Sequence, residues 1–250
     1  MSNKYKTLQN IFINADDFGI SIEVNNAIVK AWELGLLDST TIMANMPGFC
    51  DAIEIIKSGK IPSNRIGIHL NLFEGKPLTD SMKECRVFCN DDGIFNMRPI
   101  PFFAPARYSM IVYEELRAQI IKVLNAGINI THIDSHAHRH FNWFIGKEVI
   151  KLAKDYNIRY IRISGNLSKF SLPKLLFQKV YNARLGKYQY SDYFYNIPNA
   201  IKNLSSFILN HKLEVMCHPS FNNVHELVDI EFNKSLELLL KPFCTIANKN

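Results

Sequence analysis

The segment NIFINADDFG (Asn10–Gly19) is the basis of the fold prediction, because a short apolar run ends there in two adjacent aspartates. The run Asn10–Ala15 predicts a buried strand, and the amphipathic stretch Ile22–Leu34 predicts the helix that follows. Ser21 stands at the N-cap position of that helix. A strand followed by a helix is the repeating unit of parallel α/β folds, so the segment predicts the first such unit.

Short apolar runs and longer amphipathic runs alternate along the rest of the chain. Further strands are predicted at Thr40–Asn45, Arg65–Leu72, Ile128–Asp134, Ile158–Ile163 and Leu213–Cys217. Further helices are predicted around Asp51–Lys57, over Ile111–Asn125 with Gly127 as the C-terminal stop, over Lys147–Tyr156, from about Pro173, and within Glu226–Leu240. We therefore expect an α/β fold with mainly parallel strands, in a sheet that is open or closed into a barrel. No repeat or linker marks a second domain, so residues 1–250 are predicted to form one domain.

The composition argues against several classes of protein. The 250 residues are 47% hydrophobic and 21% charged, which is ordinary for a globular protein. The net charge of +6 is scattered along the chain, so we expect no nucleic-acid partner. Five cysteines are too few for a disulfide scaffold and favour a reducing compartment. The sequence has no signal-peptide core and no apolar run of about 18 residues, which predicts a cytoplasmic protein with no membrane partner.

Two segments interrupt the alternation of strands and helices. Phe73–Tyr108 is a long connection with several prolines and a turn signal at Asp91–Gly93. Connections of this length in a compact domain are often lids or binding loops. Lys187–Pro198 is rich in tyrosine, a side chain that can stack on a sugar ring and hydrogen-bond to it. Core packing or a dimer contact would explain this tyrosine-rich segment equally well.

Ionisable residues recur where the predicted strands end. The side chains in question are those of Asp16, Asp17, His69, His136 and His218, which lie at or just past the C-terminal ends of four different predicted strands. In parallel α/β folds the loops converge at the C-terminal edge of the sheet, and ligands bind there. We therefore expect these five side chains to contribute to one site.

The adjacent carboxylates of Asp16 and Asp17 repel each other unless a cation or a shared proton relieves the repulsion. On a regular strand the two side chains would point to opposite faces. Both can contribute to one site only if the chain turns there, and Gly19 makes such a turn easy to form. The alternative is that an aspartate caps the following helix, although Ser21 can serve as the cap by itself.

The segment THIDSHAHRH (Thr131–His140) is dense in potential metal ligands. One side of an extended chain would carry His132, Asp134, His136, His138 and His140. Imidazole is the commonest metal-binding side chain, and a neighbouring carboxylate often fixes its tautomer. The alternative is a solvated polar edge, for which lysine or glutamate would be more usual.

His69 and His218 each have a simpler interpretation. A single histidine in an apolar strand such as GIHLNL (Gly67–Leu72) is more often a core residue than a metal ligand. His218 follows an apolar run and could simply begin a loop, but a group that titrates near neutral pH is also what a general acid or base requires. The sequence has no G-x-S-x-G, Walker or G-x-G-x-x-G motif in the required context.

Together, these motifs resemble the YdjC-like carbohydrate deacetylases, a family that includes the chito-oligosaccharide deacetylases. In chain order they are NADDFG (Asn14–Gly19), DSTT (Asp38–Thr41), GIHLNL (Gly67–Leu72) with GKPL (Gly75–Leu78), THIDSHAH (Thr131–His138) and EVMCHP (Glu214–Pro219). The resemblance extends over most of the chain and implies a distorted (β/α) barrel that often forms a homodimer. It also implies a small acetylated sugar as the substrate and acetate as a product.

The resemblance further implies roles for residues at matching motif positions. A divalent metal ion would be bound by Asp17, His69 and His136. The catalytic residues would be Asp16 as the base, His218 as the general acid, and Arg162, which would orient the base or the substrate. The residues that we expect to bind the substrate are His138, Asn71 and Tyr193.

The sequence leaves the metal ion and the reaction open. Two imidazoles and one carboxylate favour zinc or another transition ion, whereas the family resemblance favours Mg²⁺. A phosphoesterase or an amidohydrolase could instead use His136 and His138 as paired metal ligands. A barrel that binds sugar or metal as a sensor, without catalysis, is a further alternative.

Overall fold

A curled sheet of seven parallel strands forms the centre of the protein in a computed structural model that describes residues 5–100, 105–165, 172–207 and 211–246. Twelve strands lie in the described residues, and seven of them form this sheet. In chain order the twelve are β1 (Tyr5–Thr7), β2 (Ile11–Phe18), β3 (Ser39–Ile42), β4 (Ile66–Leu70), β5 (His132–Ser135), β6 (Tyr160–Ile161), β7 (Tyr193–Asn196), β8 (Leu213–Cys217), β9 (Pro219–Phe221), β10 (Leu227–Asp229), β11 (Lys234–Ser235) and β12 (Cys244–Ile246). The order in the main sheet is β6-β5-β4-β3-β2-β8-β7, and every neighbouring pair is parallel. A parallel bridge between Ile161 and Gln189 links edge strand β6 to the segment just before edge strand β7.

Helices connect most of these strands and cover the sheet. They are α1 (Ile22–Glu33), α2 (Phe49–Lys57), α3 (Asp80–Lys83), α4 (Ala106–Asn125), α5 (Trp143–Asp155), α6 (Leu172–Leu185), α7 (Ile197–Phe207) and α8 (Leu236–Leu240). Short 3₁₀ helices lie at Ser63–Arg65, His136–Phe141, Gly186–Tyr188 and Lys241–Phe243. The prediction of a barrel-like α/β fold with mainly parallel strands is confirmed, in the form of a half-barrel. Among the described helices, none has the length and hydrophobicity needed to cross a bilayer.

Three parts of the architecture were not predicted. Strand β7 and helix α7 lie where the sequence suggested only a tyrosine-rich segment. The predicted helix within Glu226–Leu240 is limited to α8, because β9, β10 and β11 form a small antiparallel sheet before it. Strand β12 returns to pair with β1 in an antiparallel ribbon. These additions close the ends of the fold around the predicted β-α units.

The end of β2 has the turn that the two adjacent aspartates require. The pairing of β2 with β3 shifts register between Ala15 and Phe18, and Asp17 has a φ of +68°. Gly19, with a φ of +95°, continues the bend, and a Cβ there would lie 3.1 Å from the Met43 carbonyl oxygen. Aspartate is one of the few residue types that adopt the left-handed region readily. The prediction of a turn is therefore confirmed, and Asp17 itself adopts the left-handed conformation.

The Thr131–His140 segment does not remain extended, so the prediction of five side chains on one face is wrong. Strand β5 ends at Ser135, and Ala137 and His138 adopt φ values of 49° and 52°. The Ser135 hydroxyl accepts a hydrogen bond from the His140 backbone N–H at 2.9 Å, which stabilises this turn. As a result His140 is buried away from the site, with its Nε2 atom 3.2 Å from the Arg162 carbonyl oxygen.

The connection Phe73–Tyr108 is structured over its described residues. It contains α3, an isolated bridge between Cys89 and Phe95, and the predicted turn at Asp91–Gly93. Residues 101–104 of this connection lie outside the described ranges. Its first residues follow β4 directly, so the connection begins at the edge of the sheet that carries the candidate site.

Candidate active site

The ionisable residues predicted to converge do so at the carboxyl ends of the parallel strands. They line a cavity of about 360 Å³ whose wall also includes Ile230 and Glu231, just after β10. Its polar lining includes Asp16, Asp17, His69, His136, His138 and His218. The convergence follows from topology, because β2, β4, β5 and β8 all run in the same direction and end at this edge.

Two imidazole nitrogens lie close to one carboxylate oxygen, and all three atoms are potential metal ligands. Asp17 Oδ1 lies 2.7 Å from His136 Nδ1 and 3.2 Å from His69 Nε2. One ligand atom from each of the three residues lies within 4.8 Å of the others. Two neutral imidazoles and a carboxylate at such spacing can share a divalent cation. His69, Asp17 and His136 are therefore the group among the described residues that best fits a metal ion.

Each of the two histidines contacts a second carboxylate through the ring nitrogen that is not the one near Asp17. His69 Nδ1 lies 2.7 Å from Asp134 Oδ1, and His136 Nε2 lies 2.6 Å from Glu74 Oε1. Carboxylates in this position fix the imidazole tautomer and orient the other nitrogen toward a metal ion. Asp134 was predicted as one of the polar residues of the Thr131–His140 segment, where a carboxylate could fix an imidazole tautomer, whereas Glu74 was not predicted. The signal for Glu74 was its place directly before the GKPL motif, at the start of the long connection.

Arg162 lies at the centre of a buried ionic network. Its Nη1 and Nη2 atoms each donate to Asp16 at 2.7 Å, Nη2 also lies 2.8 Å from Asp134 Oδ2, and Nε donates to Glu214 at 2.7 Å. The Phe194 ring covers the guanidinium at 4.7 Å. Burial opposes the charge of Arg162, but the three carboxylates outweigh that effect and raise its pKa well above its ordinary value. Arg162 was predicted as a site residue, whereas its partners Glu214 and Phe194 were not.

The electrostatics of the site favour a bound cation. Burial would raise the pKa of Asp16, but the neighbouring Arg162 guanidinium lowers it well below its usual range. Burial would lower the pKa of His69, yet the Asp134 and Asp17 carboxylates raise it to about 10. One guanidinium faces three carboxylates, and without a metal ion a protonated His69 offsets part of the negative charge. A divalent ion beside Asp17 would take over this role from the His69 proton.

Two other groups of potential ligands are less suited to a metal ion. In the group of Asp16, His69 and Asp134, the Arg162 guanidinium already contacts both carboxylates. In the group of His218, Asp229 and Glu231, Asp229 accepts hydrogen bonds from the backbone N–H groups of His218 and Glu231.

His218 lies across the cavity from the proposed metal ligands. Its Nε2 atom lies 3.9 Å from Asp16 Oδ2, and its Nδ1 atom lies 4.0 Å from Glu231 Oε2. The Nδ1 atom is buried and has no hydrogen-bond partner among the described residues. The Asp229 carboxylate accepts from the His218 backbone N–H at 2.9 Å and thereby fixes this position on the chain. His218 can therefore exchange a proton with a group that enters the cavity beside Asp16.

The three expected substrate-binding residues lie in different places. His138 lines the cavity, its buried Nδ1 has no partner among the described residues, and burial lowers its pKa to about 4. Asn71 is fully buried, where its side chain accepts from the N–H groups of Phe73 and Glu74 and donates to the Glu74 carbonyl. Tyr193 pairs in register with Leu213, at the opposite end of the sheet. The structure thus brings only His138 of the three into the cavity.

The alternative in which His136 and His138 act as paired metal ligands finds no support in the geometry. The left-handed turn at Ala137 and His138 directs the two rings differently, and His138 stacks on Phe141 at 5.2 Å. Among the described residues, no group of potential ligands includes His138.

Comparison with known proteins identifies relatives of the chain. Curated carbohydrate deacetylases are similar to the chain along most of its length. The relative from Vibrio cholerae serotype O1 is 32% identical over 219 residues, covering 84% of this chain and 78% of its own. The relative from Brevibacillus brevis is 30% identical over 237 residues, covering 92% of this chain and 89% of its own.

A solved structure shares the fold. The crystal structure of a putative cellobiose-phosphate cleavage protein from Enterococcus faecalis superposes with a TM-score of 0.66 at 23% identity, over 93% of this chain and 86% of that one. The sequence profile of the family described as YdjC-like protein matches residues 10–245, from the start of β2 into β12. The match includes every residue of the candidate site, and the chain belongs to the YdjC-like family.

Proposed function

We propose that this protein is a metal-dependent hydrolase that removes N-acetyl groups from acetylated amino sugars, including chito-oligosaccharides, and releases acetate. The observation that carries the proposal is the arrangement in one cavity of the Asp17, His69 and His136 donors beside Asp16 and His218. The names of the related carbohydrate deacetylases support the choice of an acetylated sugar as the substrate.

Asp17, His69 and His136 would hold the metal ion, with Asp134 and Glu74 orienting the two imidazoles. When bound there, a divalent ion lowers the pKa of a coordinated water and polarises the acetamide carbonyl. We propose Mg²⁺ as the ion, with zinc or another transition ion as the alternative that two imidazole ligands would favour.

Asp16 is the proposed catalytic base. Arg162 keeps its carboxylate ionised at neutral pH, which a proton acceptor requires, although the same contact makes Asp16 a weaker base than an ordinary aspartate. The water oxygen bonds to the acetamide carbon, and the carbon–nitrogen bond then breaks. His218 donates a proton to the departing amine, which would otherwise be a poor leaving group. The products are acetate and a free amino sugar.

His138 is the proposed contact for the bound sugar. Its ring is held between Phe141 and Phe194, with centroid distances of 5.2 Å and 5.5 Å. The residue lines the cavity, and its buried Nδ1 atom has no hydrogen-bond partner among the described residues. A buried polar atom without a partner is unfavourable, and a substrate hydroxyl or amide would satisfy it. The depressed pKa keeps this imidazole neutral at pH 7. The proposed roles of Asn71 and Tyr193 in substrate binding, the cytoplasmic location and the homodimer stay predictions.

The test is incubation of the metal-loaded protein with N-acetylated mono- and disaccharides, followed by measurement of acetate. Metal content is verified in the same samples, and the EDTA-treated protein serves as the control. We expect acetate release that depends on the metal and that falls about 10²–10⁴-fold in His218→Ala. If no acetylated sugar yields acetate while the metal is in place, the proposed function is wrong. A sensor without catalysis would bind the sugars and release none.

A further inference from the structure

A second cavity, of about 490 Å³, lies at the opposite end of the sheet from the candidate active site. Residues at or just before the amino-terminal ends of all seven main strands line it, and we call it the amino-terminal cavity. They include Phe12 on β2, Ser39 on β3, Arg65 before β4 and Glu214 on β8. Its volume exceeds that of the candidate active site and falls in the range of small-molecule pockets. The proposed deacetylation places no substrate in it, although Arg162, which contacts Asp16 of the candidate active site, is also one of its lining residues.

One wall of the amino-terminal cavity is aromatic. The ring centroid of Tyr190 lies 5.3 Å from that of Phe12 and 4.7 Å from that of Tyr160. Tyr190 belongs to the tyrosine-rich segment that the sequence analysis identified as a possible sugar platform. The structure places this residue at the amino-terminal cavity and away from the candidate active site. Aromatic faces pack well against the C–H face of a sugar ring, and the tyrosine hydroxyls can hydrogen-bond.

The floor of the cavity offers a hydrogen-bond acceptor. Glu214 is 4% exposed, and its Oε1 atom accepts from Arg162 Nε at 2.7 Å. Within the described residues its Oε2 atom accepts no hydrogen bond, although the residue lines the cavity. A carboxylate oxygen in this position can accept hydrogen bonds from ligand hydroxyls. It would also repel an anionic group that reached the floor of the cavity.

The rim of the cavity offers hydrogen-bond donors. Arg65, Arg159 and the amides of Asn64 and Asn129 line it, and none forms a side-chain hydrogen bond or a close ion pair with the residues described. Arginine and asparagine at the rim, a carboxylate at the floor and an aromatic wall together match the ring faces and hydroxyls of a sugar.

We propose that the amino-terminal cavity is a second binding site, which takes a neutral saccharide and recognises its hydroxyls and ring face without acting on an acetyl group. This proposal goes beyond the deacetylation, because the two cavities lie at opposite ends of the sheet. A saccharide bound there would hold the protein on a longer carbohydrate or report the concentration of a free sugar.

Calorimetric titration with cellobiose tests the proposal, since this disaccharide has no acetyl group. We expect the wild type and His218→Ala to bind it equally, and Tyr190→Ala to weaken binding about tenfold or more. The matched control is Tyr188→Ala, which alters a tyrosine of the same segment that does not line the cavity. Because Tyr190→Ala could disturb folding, Arg159→Ala provides a second variant at an exposed position, with binding also expected to weaken.

Three results would overturn the proposal. The first is no binding of cellobiose by the wild type, and the second is binding that is lost in His218→Ala and kept in Tyr190→Ala. The third is tighter binding of glucose 6-phosphate than of glucose, which would show that the site selects an anion. Acetate release is measured on the same preparations. A protein that binds cellobiose through Tyr190 and releases no acetate would refute the deacetylase proposal alone.

Discussion

Glu74 contacts His136 at 2.6 Å, from its Oε1 atom to the imidazole Nε2. On the other side of the same ring, Nδ1 lies 2.7 Å from Asp17. With the proposed metal ion bound at Nδ1, the imidazole would carry its proton on Nε2 and donate it to Glu74. His69 has the converse arrangement, with Nδ1 at Asp134 and Nε2 at the proposed ion.

The first prediction concerns Glu74→Gln. The amide retains the shape of the side chain but can present its N–H₂ group to Nε2, and it lacks the charge that makes the imidazole a better ligand. We expect the affinity for the metal ion to fall about 10–100-fold, as for other partners of metal-bound histidines. Calorimetric titration of the metal into EDTA-treated protein measures this change. The control is Glu84→Gln, at an exposed glutamate of the same connection, and equal affinities of the two variants would contradict the prediction.

The candidate site was predictable where a residue's sequence position fixes its place at the end of a strand. Asp16, Asp17, His69 and His136 follow predicted parallel strands, and parallel strands bring their ends together. Glu74 could not be found in this way, because it reaches His136 through a loop whose course depends on the buried Asn71 side chain. A side chain in such a loop carries no periodic signal.

The second prediction separates the two aspartates. Asp17→Asn weakens a proposed ligand, so metal affinity should fall sharply and activity should fall with it. Asp16→Asn retains the proposed ligands, so metal binding should change little while acetate release falls about 10²–10⁴-fold. Metal analysis and the acetate assay on the same samples measure both effects. If Asp16→Asn lost the metal and Asp17→Asn retained it, the proposed roles would have to be exchanged.

The third prediction concerns the stability that Arg162 provides. In Arg162→Met the three buried carboxylates of Asp16, Asp134 and Glu214 lose their common partner. Removing one member of a buried ionic network typically lowers the free energy of unfolding by about 3–5 kcal/mol. Urea unfolding of the EDTA-treated proteins measures the difference. The control is Arg86→Met, whose exposed ion pair with Asp91 should contribute about 1 kcal/mol or less, and a similarly small effect of Arg162→Met would contradict the prediction.

The fold was predictable from hydrophobic periodicity wherever a strand or helix is long enough to show it. Helix α1 begins at Ile22, and Ser21 accepts from the Val24 N–H, as its sequence position indicates. Strand β7 was missed because its four residues lie in a run of tyrosines that shows no clear alternation. The turn after Ser135 was missed because a side chain to backbone hydrogen bond overrides the extended pattern there.

The last prediction concerns pH. Burial lowers the pKa of His132 to about 4 and the pKa of His138 to about 4, and it lowers the pKa of His140 well below its ordinary value. In the unfolded chain these histidines titrate near pH 6.5. Between about pH 4 and 6.5 the unfolded chain therefore binds more protons than the folded protein. Their contribution to stability is complete above about pH 6.5 and is lost as the pH falls. Each should contribute a slope of about 1.4 kcal/mol per pH unit at most.

The pKa shift of His69 on folding has the opposite sign. Its pKa of about 10 in the metal-free protein exceeds the unfolded value, so its contribution is complete below about pH 6.5 and is lost as the pH rises toward 10. Taken alone, these four histidines would place the greatest stability of the EDTA-treated protein near pH 6.5. Urea unfolding from pH 4.5 to 9.5 measures the profile. His132→Gln keeps a donor for Asn14 and removes one titrating group. Below pH 6.5 the free energy of unfolding of this variant should therefore change less steeply with pH, by the equivalent of about one proton, and above pH 6.5 its pH dependence should be unchanged. An equal slope below pH 6.5 in the variant and the wild type would show that His132 does not titrate as its burial implies.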